Sequence, residues 1–193
     1  MRKIESKESL EKKKKRNNTI IGILLVIIMI LSTLGYAFYE NNKETTTTKK
    51  IKYGGFDFVE QNGFWITTSG DLNFAFTNDP RNITITNSEV DYLNKYYNEP
   101  LYVYSEDDLA LSEIYNNLNQ VAQRMQPACL NGSICNDKTL PIKTCKDNFI
   151  IIKEGNFSEI KQEDNCVFIQ GPEEELVKIT DGFLLKIIGS RTA

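Results

Sequence analysis

An α+β fold with an α/β-like C-terminal half is predicted: an N-terminal transmembrane helix, then a small disulfide-stapled domain with a β-meander and a β-α-β-β-α segment. Three observations carry this expectation. Nineteen uncharged residues run from Ile20 to Phe38, aromatic runs broken by turn residues fill 53–86, and beyond residue 100 short apolar runs alternate with helical spacing. The 193 residues divide accordingly into a basic tail (1–17), the membrane helix (18–39), a tether (40–52) and one globular domain (53–193), which is one domain's worth of chain.

The segment IIGILLVIIMILSTLGYAF has no polar face, and about 20 apolar residues cross the hydrocarbon core as a helix. Lys12, Lys13, Lys14, Lys15 and Arg16 precede it, whereas Glu40, Lys43 and Glu44 follow it. The positive-inside bias then places the N-terminus in the cytoplasm and the C-terminal domain outside. Gly35-Tyr36-Ala37 offers the small residues a signal peptidase reads. The apolar stretch exceeds the usual signal-peptide core, so an uncleaved, single-pass anchor in the cell membrane is expected; either reading exports the domain. The basic run reads as a topology signal rather than a lipid-headgroup site.

Residues 40–52 hold almost nothing apolar except Ile51 and read as a tether. Between 53 and 86, Asn62-Gly63 joins two aromatic runs, a strong hairpin signal. Phe56, Phe58, Phe64, Ile66, Phe74 and Phe76 are expected to share one apolar face, with Trp65 on the opposite phase, packed under a helix. Val90, Leu93 and Tyr97 predict a short helix from Ser88 to the Asn98-Glu99-Pro100 stop. After the strand LYVYS, Ser105 and Asp108 resemble a capping box. Leu111, Ile114, Tyr115, Leu118, Val121, Ala122 and Met125 then mark one helical face that ends before Pro127. The continuous runs 149–152 and 166–169 predict strands covered on both faces. Gly171-Pro172 opens a last helix with Glu173, Glu174 and Glu175 at its positive end; Leu176, Thr180, Phe183, Leu184 and Ile187 form its inner face, and Gly189 closes it.

Residues 1–16 carry net +5, so the remainder carries −8 of the chain's −3. An acidic exported domain without a basic stripe grips phosphate backbones poorly, and no nucleic-acid partner is expected. Histidine is absent, which excludes Ser-His-Asp and Cys-His sites. Cys129, Cys135, Cys145 and Cys166 lack the close spacing of zinc ligands. Outside the cytoplasm they predict disulfides; of three possible pairings, Cys129–Cys135 and Cys145–Cys166 are expected. Asn82, Asn131 and Asn156 head glycosylation sequons. The acidic clusters 106–108, 163–164 and 173–175 lack the oxygen spacing of a calcium loop. No metal or cofactor is expected, and no catalytic residue is assigned.

These features predict a binding or structural module whose partners are the lipid bilayer and another envelope or surface protein. Two alternatives stand beside it. One is an accessory subunit of an envelope secretion, pilus or transport complex. The other is an envelope enzyme using carboxylates or cysteine, which convergence of two among Asp107, Asp108, Glu154, Asp164 and Asp181 would favour. Nothing in the sequence sets an oligomeric state.

Overall fold

A computed structural model describes residues 7–41, 49–83, 88–133 and 137–189, in two units, 1–47 and 48–193. The first unit contains one helix, α1 (Lys7–Asn41). It begins well before residue 18, so Lys12–Arg16 are helical; Lys and Arg are good helix formers and nothing there breaks the turn. From Lys15 to Ser32 the helix is long and apolar enough to cross a membrane, and none of that stretch is buried. The core helix of a soluble domain is mostly buried, whereas this stretch is not; a signal sequence near an N-terminus has the same length and apolar character.

The second unit opens with four antiparallel strands in sequential order: β1 (Lys50–Tyr53), β2 (Phe56–Gln61), β3 (Phe64–Ser69) and β4 (Leu72–Phe76). The expected tether therefore ends earlier than 52, because Ile51 pairs with Phe58 in the sheet. All three connections are two residues long, with Tyr53 opposite Phe56, Gln61 opposite Phe64 and Ser69 opposite Leu72. At Asn62-Gly63 both φ angles are positive, 54° and 82°, as a type I′ turn requires.

A two-residue turn pairs even positions with odd ones, so the inward phase changes at every hairpin. Phe58, Trp65, Thr67, Phe74 and Phe76 are buried. The expectation that Phe64 and Ile66 share the apolar face is overturned: Phe64 is 42 % exposed, and Trp65 enters the core in its place.

Segment 88–99 is not the predicted helix but contains a single 3₁₀ turn, Leu93–Lys95. So short a helix gains too little to offset its nucleation. Val90 and Leu93 still pack on the core, Tyr96 rather than Tyr97 is buried, and Asn98 at φ 59° turns its N–H toward the Val121 carbonyl.

Next come β5 (Pro100–Ser105), α2 (Asp108–Leu118) and β6 (Arg124–Pro127). A short ladder of β7 (Cys129–Leu130) and β8 (Ile142–Lys143) follows, then β9 (Asn148–Glu154), β10 (Glu159–Glu163), β11 (Cys166–Gly171) and α3 (Leu176–Ile187). The five-stranded sheet runs β10-β11-β9-β5-β6 and is parallel except for β10. The expected β-α-β-β-α order thus lacks β6, β10 and the β7–β8 ladder. β6 and β10 are edge strands of mostly polar, solvent-facing residues, so no apolar run announces them.

Asp107 caps α2, its carboxylate accepting from the Ala110 N–H at 2.6 Å. Ser105, expected in that role, instead closes the preceding turn by accepting from the Asp107 N–H. The helix stops at Leu118 rather than near Met125. Its last turns hold Asn116 and Asn117, poor helix formers, and the fully buried Asn117 amide serves another purpose. It bonds both the N–H and the C=O of Ala75, each at 2.8 Å, satisfying the open edge of β4.

Helices α2 and α3 cover one face of the five-stranded sheet, and α2 also packs on β4, so one core joins meander, helices and sheet. The other sheet face buries Tyr102, Phe149, Ile151 and Cys166 against Ala128, Leu130 and Cys145. The Cys145–Cys166 disulfide fastens this cover to the start of β11.

Candidate functional site

Helices α2 and α3 both begin at the carboxyl ends of strands, where open α/β sheets place their ligand clefts. Leu109, Ser112, Glu113 and Asn116 follow the i, i+3, i+4, i+7 spacing that aligns side chains along one helical stripe. Glu174, Val177, Lys178 and Asp181 repeat that spacing through the 3₁₀ turn at Glu173–Glu175 and into α3. Between the two stripes, closed at one end by Phe64, Thr77 and Asn78, lies a groove of about 370 Å³. Its rim is open to solvent and mixed: Phe64 and Leu109, 42 % and 69 % exposed, stand beside exposed Ser112, Asn116 and Glu174. Its floor is polar.

That floor is a buried acid pair. Glu113 is 5 % exposed and Asp181 0 %; Glu113 lines the groove and Asp181 stands behind it. The Thr77 hydroxyl donates to Glu113 Oε1. Asn78 donates twice to Asp181 Oδ2, from its backbone N–H at 3.0 Å and its side-chain amide at 2.9 Å. No lysine or arginine forms an ion pair with either carboxyl among the described residues.

Burial, and next the charge of Glu113, push the Asp181 carboxyl up to about 8, against the pull of the Asn78 donors. Burial raises Glu113 as well, opposed by the Thr77 hydroxyl. Two carboxyls pressed together in a dry site do not both ionise at neutral pH. Asp181 Oδ1 is buried with no hydrogen-bond partner, and burial together with the nearby Glu113 charge favours the protonated Asp181 carboxyl at neutral pH. The pair holds one proton and one negative charge.

A wider cleft of about 450 Å³ lies at the amino ends of β5 and β9, lined by residues of both charge signs including Lys95, Glu99, Lys146 and Asp147. Beside it, Tyr102 accepts from Arg124 at 3.1 Å, and the Lys143 ammonium sits 4.1 Å from its ring centroid. Lys143 first, then Arg124, draw the phenol below its usual range. This cleft sits at the end of the sheet opposite to where ligands bind in such architectures.

No family model, curated protein or solved structure matches the chain. The site therefore rests on its own geometry. Of the five carboxylates named for a possible convergent pair only Asp181 belongs to the floor, and Glu174 of the 173–175 cluster lines the groove wall; the partner of Asp181 is Glu113, which sequence reasoning missed. A signal was present: Ala110, Glu113, Ile114, Asn117 and Leu118 are the buried residues of α2, an i, i+3, i+4, i+7, i+8 stripe with two polar members.

The remaining sequence candidates lie elsewhere. Asn82, Asn131 and Asn156 are exposed. Cys129 is buried and disulfide-bonded; Cys135, its expected partner, lies outside the described residues. Glu106–Asp108 stand at the entry to α2, and Glu173 and Glu175 flank the groove-lining Glu174 at the entry to α3. Among the described residues no group of three His, Cys, Asp or Glu side chains could hold a metal ion.

Proposed function

We propose that this is a single-pass membrane protein, N-terminus in the cytoplasm, whose extracytoplasmic domain binds an envelope or surface partner at the groove between α2 and α3. The observation that carries this reading is the groove itself, an exposed rim that includes Phe64 and Leu109 around a buried acidic floor. Exposed apolar side chains around a concave site mark interaction surfaces. The unburied apolar stretch of α1 and the basic run Lys12–Arg16 support the anchored topology. Exposed Asn82, Asn131 and Asn156 are available for glycosylation by an exporting cell that owns the transferase.

Binding fits the acid pair better than catalysis does. Glycoside hydrolysis needs two carboxyls about 5 to 9.5 Å apart, both facing substrate; here Asp181 is fully buried and does not line the groove.

A photo-reactive residue placed at Leu109 of the full chain in its native membrane tests the proposal, with exposed Ile142 on the opposite sheet face as control. One discrete adduct from Leu109 and none from Ile142 is expected. Absence of an adduct at Leu109, or equal yields at both positions, would sink it.

A further inference from the structure

We propose that the groove between α2 and α3 accepts an alkylammonium group, such as a lysine side chain of a partner, with the ammonium against Glu113 and the alkyl stem against Phe64, Leu109 and Val177. This deepens the binding proposal above and rests on it. Four observations point to that chemistry.

First, Glu113 is a buried groove-lining carboxylate with no ion-paired lysine or arginine among the described residues. A charge taken out of water without an opposite charge is costly, and it favours a ligand that supplies one. Secondly, an anion entering the groove would meet both Glu113 and Glu174, while Lys178 stands on the wall as the single cation. Thirdly, Phe64, Leu109 and Val177 provide apolar surface above the carboxylate; lysine buries its methylenes against such surface while its ammonium seeks a polar end. Fourthly, about 370 Å³ lies in the range of roughly 300–1,000 Å³ that small-molecule pockets occupy. The Thr77 hydroxyl already donates to Glu113 Oε1, which leaves the remaining acceptor positions of that carboxylate for an ammonium donor.

Three isosteric probes test this on the full chain in phospholipid nanodiscs: n-butylammonium, 1-butanol and butyrate. Binding is read from the methyl resonances of Leu109 and Val177, with Ile142 as a remote reference. Butylammonium is expected to bind about tenfold more tightly than 1-butanol, butyrate not to bind, and Glu113→Gln to abolish the ammonium preference. The probe comparison in the wild-type chain needs no variant, so it stands even if Glu113→Gln misfolds. Equal binding of butylammonium and butanol would overturn the ammonium assignment and leave the groove as a binding site. Failure of all three probes to shift Leu109 or Val177 would overturn both.

Discussion

Asparagine in place of Asp181 stabilises the folded domain at pH 8 and removes most of its pH dependence between pH 5 and 8. The sign follows from the acid pair. Asp181 titrates at about 8 in the fold against an ordinary value of 3.8, so between those values the native state holds a proton that the unfolded chain has released. Stability then falls as pH rises, by on the order of 1 kcal/mol per pH unit while the two states differ by a whole proton. The stability is fully present below about pH 4 and is lost as pH climbs through about 8. The raised Glu113 carboxyl acts with the same sign. In Asp181→Asn the amide oxygen still accepts from Asn78, and the side chain carries no titratable proton. Unfolding midpoints of the full chain in detergent micelles, at one-unit steps from pH 5 to 8, check this. A variant less stable than wild type at pH 8, with an unchanged slope, would show that the pair holds no proton. Asp181→Ala is the contrasting case, since it leaves both Asn78 donors unpaired in a buried site.

Loss of the Cys145–Cys166 disulfide has the other large effect. The bridge closes a loop across a sequence separation of 21 residues, and the entropy it removes from the unfolded chain is worth about 3 kcal/mol. A second consequence adds to this. Cys145 belongs to the segment covering Tyr102, Phe149 and Ile151, so a loosened segment exposes the second sheet face to water. Cys145→Ala with Cys166→Ala is therefore expected to lower stability by at least about 3 kcal/mol. Intact mass after alkylation without reduction gives the matching chemical result: no label on the purified wild-type chain, and two labels at Cys129 and Cys135 only after reduction of the double variant. Labelling of all four wild-type cysteines without reduction would contradict both the disulfides and the export of the domain.

The start of α2, α3 and the apolar strands β9 and β11 were legible in the sequence because their signals are local, whereas the helix predicted from Ser88 is a single 3₁₀ turn. β9 and β11 sit on continuous apolar runs, and α3 follows its proline and three glutamates. The failures arise where a partner distant in sequence decides the outcome. Phe64 and Trp65 exchange places because a two-residue hairpin inverts parity, a rule legible from the Asn62-Gly63 turn but not carried across it. The strands β6 and β10 carry little apolar character and exist because β5 and β11 offer them edges. Asn117 looks like an ordinary helix-weakening residue until β4 presents Ala75 to it. Asp181 was one of five carboxylates named for a possible convergent pair, yet its meaning depends on Glu113, 68 positions earlier in the chain, and no local pattern joins the two.

The proton on the acid pair unites the groove's electrostatics with its proposed ligand, and infrared spectroscopy of the carboxyl groups observes it. The full chain, titrated from pH 5 to 10, should show a protonated carboxyl band that persists at neutral pH, disappears with a midpoint near 8, and is absent at neutral pH from Asp181→Asn. A wild-type spectrum with no protonated carboxyl above pH 6 would contradict it, because Glu113 and Asp181 would then both be ionised and the floor of the groove would not be the singly charged pair described above.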